Sequence, residues 1–256
     1  MKKLLVATAS LAALIAAPAM AADLRVKAPV YKAPPPVPVF SWTGFYIGVH
    51  GGGDWFNKDW NTPITPINVA GGGIFGPNGG HTSSSWLAGV QAGFNYQVGW
   101  VVWGIEAQGS WTKLEGSNVN PLAPFLTDHS KTDNLGTIAG RLGAAWDRAL
   151  FYVKGGGAWA HDTFWTTSAF CNTVTCQTLT ETRWGWMVGV GVEYAFLDNW
   201  SVKLEYDHLD FGTRRETLAP VCTGCGPFEY DVRQRIDLVK VGLNYRFGYS
   251  PVVAKY

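Results

Sequence analysis

The sequence predicts an all-β fold, an eight-stranded antiparallel transmembrane β-barrel. Three observations predict it. The chain opens on an export segment, its mature part holds eight stretches of period-2 hydrophobic alternation, and short connections alternate with long ones.

The export segment comes first. Met1-Lys2-Lys3 is a basic start, Leu4 to Ala17 is an apolar core, and Ala19-Met20-Ala21 fits a small-x-small cleavage site, so residues 1–21 are expected to be a signal peptide. The core is short of the roughly 20 apolar residues that a spanning helix needs. Residues 22–41 follow as a proline-rich leader, DLRVKAPVYKAPPPVPVFS within it. Its composition favours extended polyproline geometry and a spacer role in the periplasm. Lys27 and Lys32 leave open a reach toward the cell wall. The barrel is expected over 42–247, with a C-terminal extension at 248–256.

The composition agrees with a barrel. There are 31 Gly, 13 Trp, 13 Phe and 10 Tyr, with only 15% charged residues, the mark of many short glycine- and aromatic-rich strands. A formal charge of +1 supplies no basic patch, so nucleic acid is not an expected partner.

Each strand is then justified by alternation. The first, about 42–52, sets Phe45, Ile47 and Val49 on one face. The second, about 86–98, alternates Trp86, Ala88, Val90, Ala92, Phe94 and Tyr96 against Gly89, Gln91, Gly93, Asn95 and Gln97. The third, about 100–112, sets Val101, Trp103, Ile105, Ala107 and Trp111 against Glu106, Gln108 and Ser110. The fourth, about 134–146, is the weakest, with Ile138, Leu142 and Trp146 opposite Arg141. The fifth, about 149–161, sets Phe151, Val153 and Trp159 against Tyr152 and Lys154. The sixth, about 183–196, runs from Trp184 to Phe196 against Gly185, Met187, Gly189, Gly191 and Glu193. The seventh, about 199–211, puts Trp200, Val202, Leu204 and Tyr206 opposite Lys203, Glu205 and Asp207. The eighth, about 233–247, opposes Val239, Val241, Leu243, Tyr245 and Phe247 to Leu238, Lys240, Gly242, Asn244 and Arg246. An apolar face against a face with bare charges suits lipid outside and a polar lumen inside. Aromatics near the strand ends suit interfacial girdles.

The connections set the orientation. Tight turns are expected around Val98-Gly99, Asp147-Arg148 and Leu197-Asp198-Asn199. They alternate with long loops at roughly 53–85, 113–133, 162–182 and 212–232. Short periplasmic turns with long outer loops are the outer-membrane arrangement, with both termini in the periplasm. The expected location is therefore the cell outer membrane.

The inner face holds the candidate site. His50, Glu106, Arg141, Lys154, Glu193, Lys203, Glu205, Asp207, Lys240 and Arg246 all fall on it. Acids and bases nearly balance. An eight-stranded barrel is just wide enough for side chains to fill it, so a lumen ion network is expected and a plugged barrel is favoured over an open pore. Glycines on the inner faces of strands one, two and six leave room for narrow water-filled cavities. Glu205 and Asp207 could be read as a carboxylate pair for acid–base work, but the nearby lysines point to salt bridges.

Other motifs carry less. Gly71 to Gly76 reads GGGIFG inside a loop, without the strand and helix that a dinucleotide fingerprint requires. Four cysteines form two close pairs, Cys171/Cys176 and Cys222/Cys225, in expected outer loops. Bridges within each pair are expected, with bridges between the loops as the alternative. No metal or cofactor is expected. His81 with Ser83, Asp128-His129-Ser130 and His161-Asp162 sit where rim chemistry would lie, but their spacings match no specific catalytic pattern.

The opening WTGFYIGVHGGG at 42–53, NWSVKLEYDHLDFG at 199–212 and VKVGLNYRF at 239–247 together resemble the small outer-membrane barrel proteins of alphaproteobacteria, the RopB-like family with its major surface immunogens. The resemblance spans nearly the whole mature chain. It implies an OmpA/OmpX-like barrel, abundant and structural, touching lipopolysaccharide outside and built by the barrel assembly machinery. It also implies that the terminal aromatics Tyr245 and Phe247 form the assembly signal, followed here by GYSPVVAKY. No catalytic residue comes with it. The expected function is structural, with a small diffusion channel and a lipid A-modifying enzyme as rivals.

Overall fold

Period-2 alternation in this chain gives strands, and the strands close on themselves. The computed structural model describes residues 40–70, 75–121, 123–168, 175–221 and 227–247. The expected signal peptide, most of the leader and the C-terminal extension lie outside the described residues. The strands are β1 (Gly44–Thr62), β2 (Gly76–Val98), β3 (Val101–Val119), β4 (Leu126–Trp146), β5 (Ala149–Ser168), β6 (Thr175–Ala195), β7 (Trp200–Pro220) and β8 (Phe228–Arg246). A short helix, α1 (Pro66–Ala70), lies in the first outer connection. Each strand pairs antiparallel with the next, and β8 returns to β1 from Tyr46↔Arg246 to Asn61↔Asp231, closing the barrel.

The three tight turns fall where alternation breaks. Asp147, at φ 51°, takes the left-handed conformation that a short hairpin turn needs and that Asp tolerates. The long outer loops are a correction. Strands of 19 to 23 residues run about twice the 9–11 that a tilted strand needs to cross a membrane. Only 63–75, 120–125, 169–174 and 221–227 remain as outer connections.

The reason is a change of phase. On β8 the outward residues are Tyr245, Leu243, Val241 and Val239, then Asp237, Arg235, Arg233, Asp231 and Glu229. The inward residues are Arg246, Asn244, Gly242 and Lys240, then Leu238, Ile236, Val232 and Tyr230, with Gln234 among them. The apolar face therefore turns from lipid to core where the strand leaves the membrane. β1 does the same between Val49 and Phe56. Exposed aromatics mark the two membrane surfaces. Trp86, Trp111 and Trp184 stand at the outer one, and Phe45, Tyr96, Trp103, Trp146 and Phe151 at the inner one.

Above the outer surface the wall divides. β2 and β3 pair only from Val98↔Val101 to Leu87↔Thr112. β6 and β7 pair from Ala195↔Ser201 to Trp186↔Asp210, then resume only at Thr178↔Ala219 and Gln177↔Pro220. The outer half is thus two four-stranded sheets, β3–β6 and β7–β8–β1–β2, facing each other across a common core.

Candidate functional site

The lumen is the candidate site, and its side chains stack in four levels. The lowest closes the periplasmic mouth. Phe40 and Trp42 are buried against Val102, Leu150, Tyr152 and Ala195. The Trp42 amide donates to Gln97 Oε1 at 2.7 Å. The Arg246 guanidinium lies 4.5 Å from the Phe40 ring and donates to the Asp198 carbonyl at 2.6 Å. Phe40 was expected to belong to a leader without packing of its own, but its ring fills the mouth.

The second level is the ion network. Alternation delivers each member inward from β3 to β8, and all are nearly inaccessible. Lys154 Nζ lies 2.6 Å from Glu205 and 3.1 Å from Asp207. Lys240 Nζ lies 2.5 Å from Asp207 and 3.0 Å from Glu205. Lys203 bridges Glu106 at 3.0 Å and Glu205 at 3.2 Å, and Arg141 bridges Glu193 at 2.8 Å. Glu106, Glu193, Glu205 and Asp207 thus meet Arg141, Lys154, Lys203 and Lys240 in equal number, while Arg246 sits one level lower. Glu205 and Asp207 are occupied by lysines, as ion pairing requires.

Neutral side chains complete the network, and of these only Tyr46 is not among the inner-face residues that alternation names. Tyr46 Oη donates to Glu106 at 2.8 Å, and Tyr152 Oη donates to Glu205 at 2.8 Å. The Arg141 guanidinium lies 3.8 Å from the Tyr152 ring centroid. Gln108 Nε2 donates to Glu106 and Glu205 at 2.7 and 2.9 Å, and its carbonyl oxygen accepts from Lys240. His50 contacts Gln91 and Ser110 through its two ring nitrogens at 2.7 and 2.8 Å. Inner-face parity places Tyr152 and Gln108 there already, and the same parity on β1 finds Tyr46 two residues from Gly48. The glycines expected to leave water-filled space serve these rings instead. Gly93 and Gly191 lie directly against Tyr46 and Tyr152, where any Cβ would collide.

The third level is apolar. Phe56, Leu87, Leu114, Leu135, Met187, Leu209, Phe211, Ile236 and Leu238 pack across the lumen near the outer membrane surface. The fourth lies above it and was not expected. Lys58 and Asp162, both fully buried, pair at 3.1 Å. Thr132 joins them, and Lys58 Nζ lies 4.7 Å from the Phe164 ring centroid. Arg183 donates to the Val232 carbonyl at 2.8 Å. Trp60, Phe164, Leu218, Tyr230 and Val232 cap this level. Burial lowers the Lys58 ammonium from its ordinary value, and Asp162 acts against that shift.

The rim motifs are divided by alternation. Asp128 and Ser130 point inward while His129 points outward and stacks on Trp165 at 5.1 Å. His81 meets Ser130 at 2.9 Å, and burial pushes its imidazole down to about 4. Burial pushes the Asp128 carboxyl up to about 7, opposed by the Thr166 hydroxyl at 3.1 Å. These pieces lie in strands, not loops, and do not assemble a nucleophile with a base. Cys176 is buried at the start of β6, while Cys171, Cys222 and Cys225 lie outside the described residues. Tyr245 and Phe247 pack edge to face at 5.1 Å, with the Phe247 amide donating to the Phe45 carbonyl at 2.8 Å.

Comparison with known proteins agrees with this architecture. The outer membrane protein beta-barrel domain matches residues 7–247. The 31 kDa outer-membrane immunogenic protein of Brucella melitensis is 34% identical over 257 residues, covering 93% of this chain and 98% of that protein. The 25 kDa outer-membrane immunogenic protein of Brucella abortus is 26% identical over 252 residues, covering 96% and 99%. Among solved structures, the outer membrane protease OmpT of Escherichia coli aligns with a TM-score of 0.50 at 8% identity, over 80% of this chain and 97% of that one. That likeness concerns the fold alone. With a β-barrel closed at the membrane, an inner face of paired ions and relatives matched end to end, the chain belongs to the outer-membrane β-barrel family, alongside the Brucella outer-membrane immunogenic proteins.

Proposed function

We infer that this protein is a structural component of the outer membrane that contributes to envelope integrity and conducts little or nothing. The observation that carries this reading is the filling of the lumen by the neutralised network of Glu106, Glu193, Glu205 and Asp207 with Arg141, Lys154, Lys203 and Lys240. A conducting path needs mobile water and unfilled width, and an eight-stranded barrel has little width to spare. The lipid-facing belt would contact lipopolysaccharide at its outer edge. The leader would meet the cell wall below, and Tyr245 with Phe247 would address the assembly machinery. The cysteine pairs would bridge outside the membrane.

The deciding experiment is conductance of the refolded, signal-free barrel in a planar bilayer, with folding checked by heat-dependent gel mobility. A silent, folded barrel is the expected result. Steady openings that shift when Lys240 or Glu205 is neutralised would replace this reading with a diffusion channel. A mass change in lipid A on incubation with the barrel would replace it with an enzyme.

A further inference from the structure

The outer half combines two interrupted seams with a central ion pair, and this combination has mechanical consequences. On one side the β2–β3 ladder ends at Leu87↔Thr112 and does not resume. On the other side the β6–β7 ladder is interrupted above Trp186↔Asp210 but is tied again at Thr178↔Ala219 and Gln177↔Pro220, where the Val221 amide also donates to the Cys176 carbonyl at 2.8 Å. We propose that the outer half opens on its β2–β3 side, the two four-stranded sheets parting while they stay joined at β6–β7, with the buried Lys58–Asp162 pair as the latch.

The bonds that cross between the sheets support this division. On the β2–β3 side they are carried by side chains. Asn118 Nδ2 donates to the Asn78 carbonyl at 2.5 Å, His81 meets Ser130 at 2.9 Å, and Thr112 donates to Asp54 at 2.5 Å. Each is a modest contact where a ladder would supply many bonds together. The central crossing is stronger. Lys58 from β1 reaches Asp162 on β5 and Thr132 on β4, between the rings of Phe56 and Phe164. Removing one member of a buried pair strands the other, so the pair holds only while the sheets are closed.

The two ladder ends at Leu87↔Thr112 and Trp186↔Asp210 lie at the level of Trp86, Trp111 and Trp184. The line about which the sheets would part is therefore the outer membrane surface. Opening exposes the packed side chains of Phe56, Leu114, Phe164 and Ile236 to the cell exterior. The ion network below is untouched, so the membrane seal survives. This inference stands whether or not the barrel conducts.

Lysine chemistry tests it directly. The refolded barrel in lipid vesicles is treated with a water-soluble acetylating ester, and each lysine is followed by peptide mass spectrometry. Lys113 and Lys131 are accessible, whereas Lys58, Lys154, Lys203 and Lys240 are buried. Lys58 should react more slowly than Lys113 but at least about tenfold faster than the three network lysines, as for a site reached by local opening. Asp162→Asn should raise the Lys58 rate by about tenfold or more and leave the network lysines protected. A His81→Cys/Gly116→Cys pair, placed where a Gly116 side chain would touch the His81 ring, should slow Lys58 when oxidised and release it when reduced. Equal protection of Lys58 and the network lysines would overturn the proposal, as would a Lys58 rate indifferent to the closed disulfide. If Asp162→Asn does not fold, the disulfide pair decides alone.

Discussion

At the scale of single residues, Glu205 shows how the lumen is held. It faces three lysines, Lys154, Lys203 and Lys240, and accepts from Tyr152 and Gln108. Glu205→Gln keeps the volume and removes the charge, leaving three ammonium groups short of a partner. The expected cost is about 3–5 kcal/mol, measured by urea unfolding in lipid vesicles, because breaking a buried pair leaves an uncompensated charge. Asp128 gives a second prediction. It sits outside the membrane, near Tyr230 on β8 and Thr166 on β5, with its carboxyl raised to about 7 by burial. A raised acid stabilises the fold while protonated, below its ordinary value near 4, and that contribution fades as pH rises toward 7 and beyond. The Asp128 contribution should therefore be lost between about pH 4 and pH 7, and Asp128→Asn, which mimics the protonated acid, should become more stable relative to the parent protein as pH rises through that window. The charged residues of the network were legible from parity alone. Lys58 and Asp162 were not, because they lie in the stretches 53–85 and 162–182 that read as outer loops, and Arg183 stands at the very edge of the expected sixth strand.

Element by element, the strands were legible where lipid wrote the pattern and illegible where it did not. All eight runs and all three tight turns stand where alternation places them. The outer ends read as loops because their exposed faces turn polar, as in Thr178, Thr180 and Thr182 on β6 or Glu229 and Asp231 on β8. On β1 and β8 the inner face becomes apolar in the same stretch, so one hydrophobic face stops as the other begins. β6 allows the facing to be checked. Val190 points outward from the middle of its lipid-facing run, with Trp184 and Tyr194 at the two ends. Val190→Arg should cost roughly 2–4 kcal/mol in a bilayer, by the depth dependence of lipid-facing charge. Indifference to that change, read from urea unfolding midpoints, would contradict the placement of the membrane band.

For the whole molecule, closure is redundant. The mouth, the ion network, the apolar layer and the outer cap obstruct the lumen in series. Trp42→Ala should therefore loosen the mouth without opening a pore, and bilayer recordings of the folded variant should stay silent. Phe40 falls in the proline-rich leader and Trp42 at the expected start of the first strand, but β1 begins only at Gly44, so alternation does not announce either ring as a stopper. The exchange of faces along the strands has one more consequence. Each strand carries a waterline. Sinking the barrel by one pair of residues would draw Asp237 and His208 into oil, and raising it would lift Val239 and Val188 into water. With eight marks at one height, draught is written into the chain, and the superstructure stands clear of the lipid by an amount that the sequence itself sets.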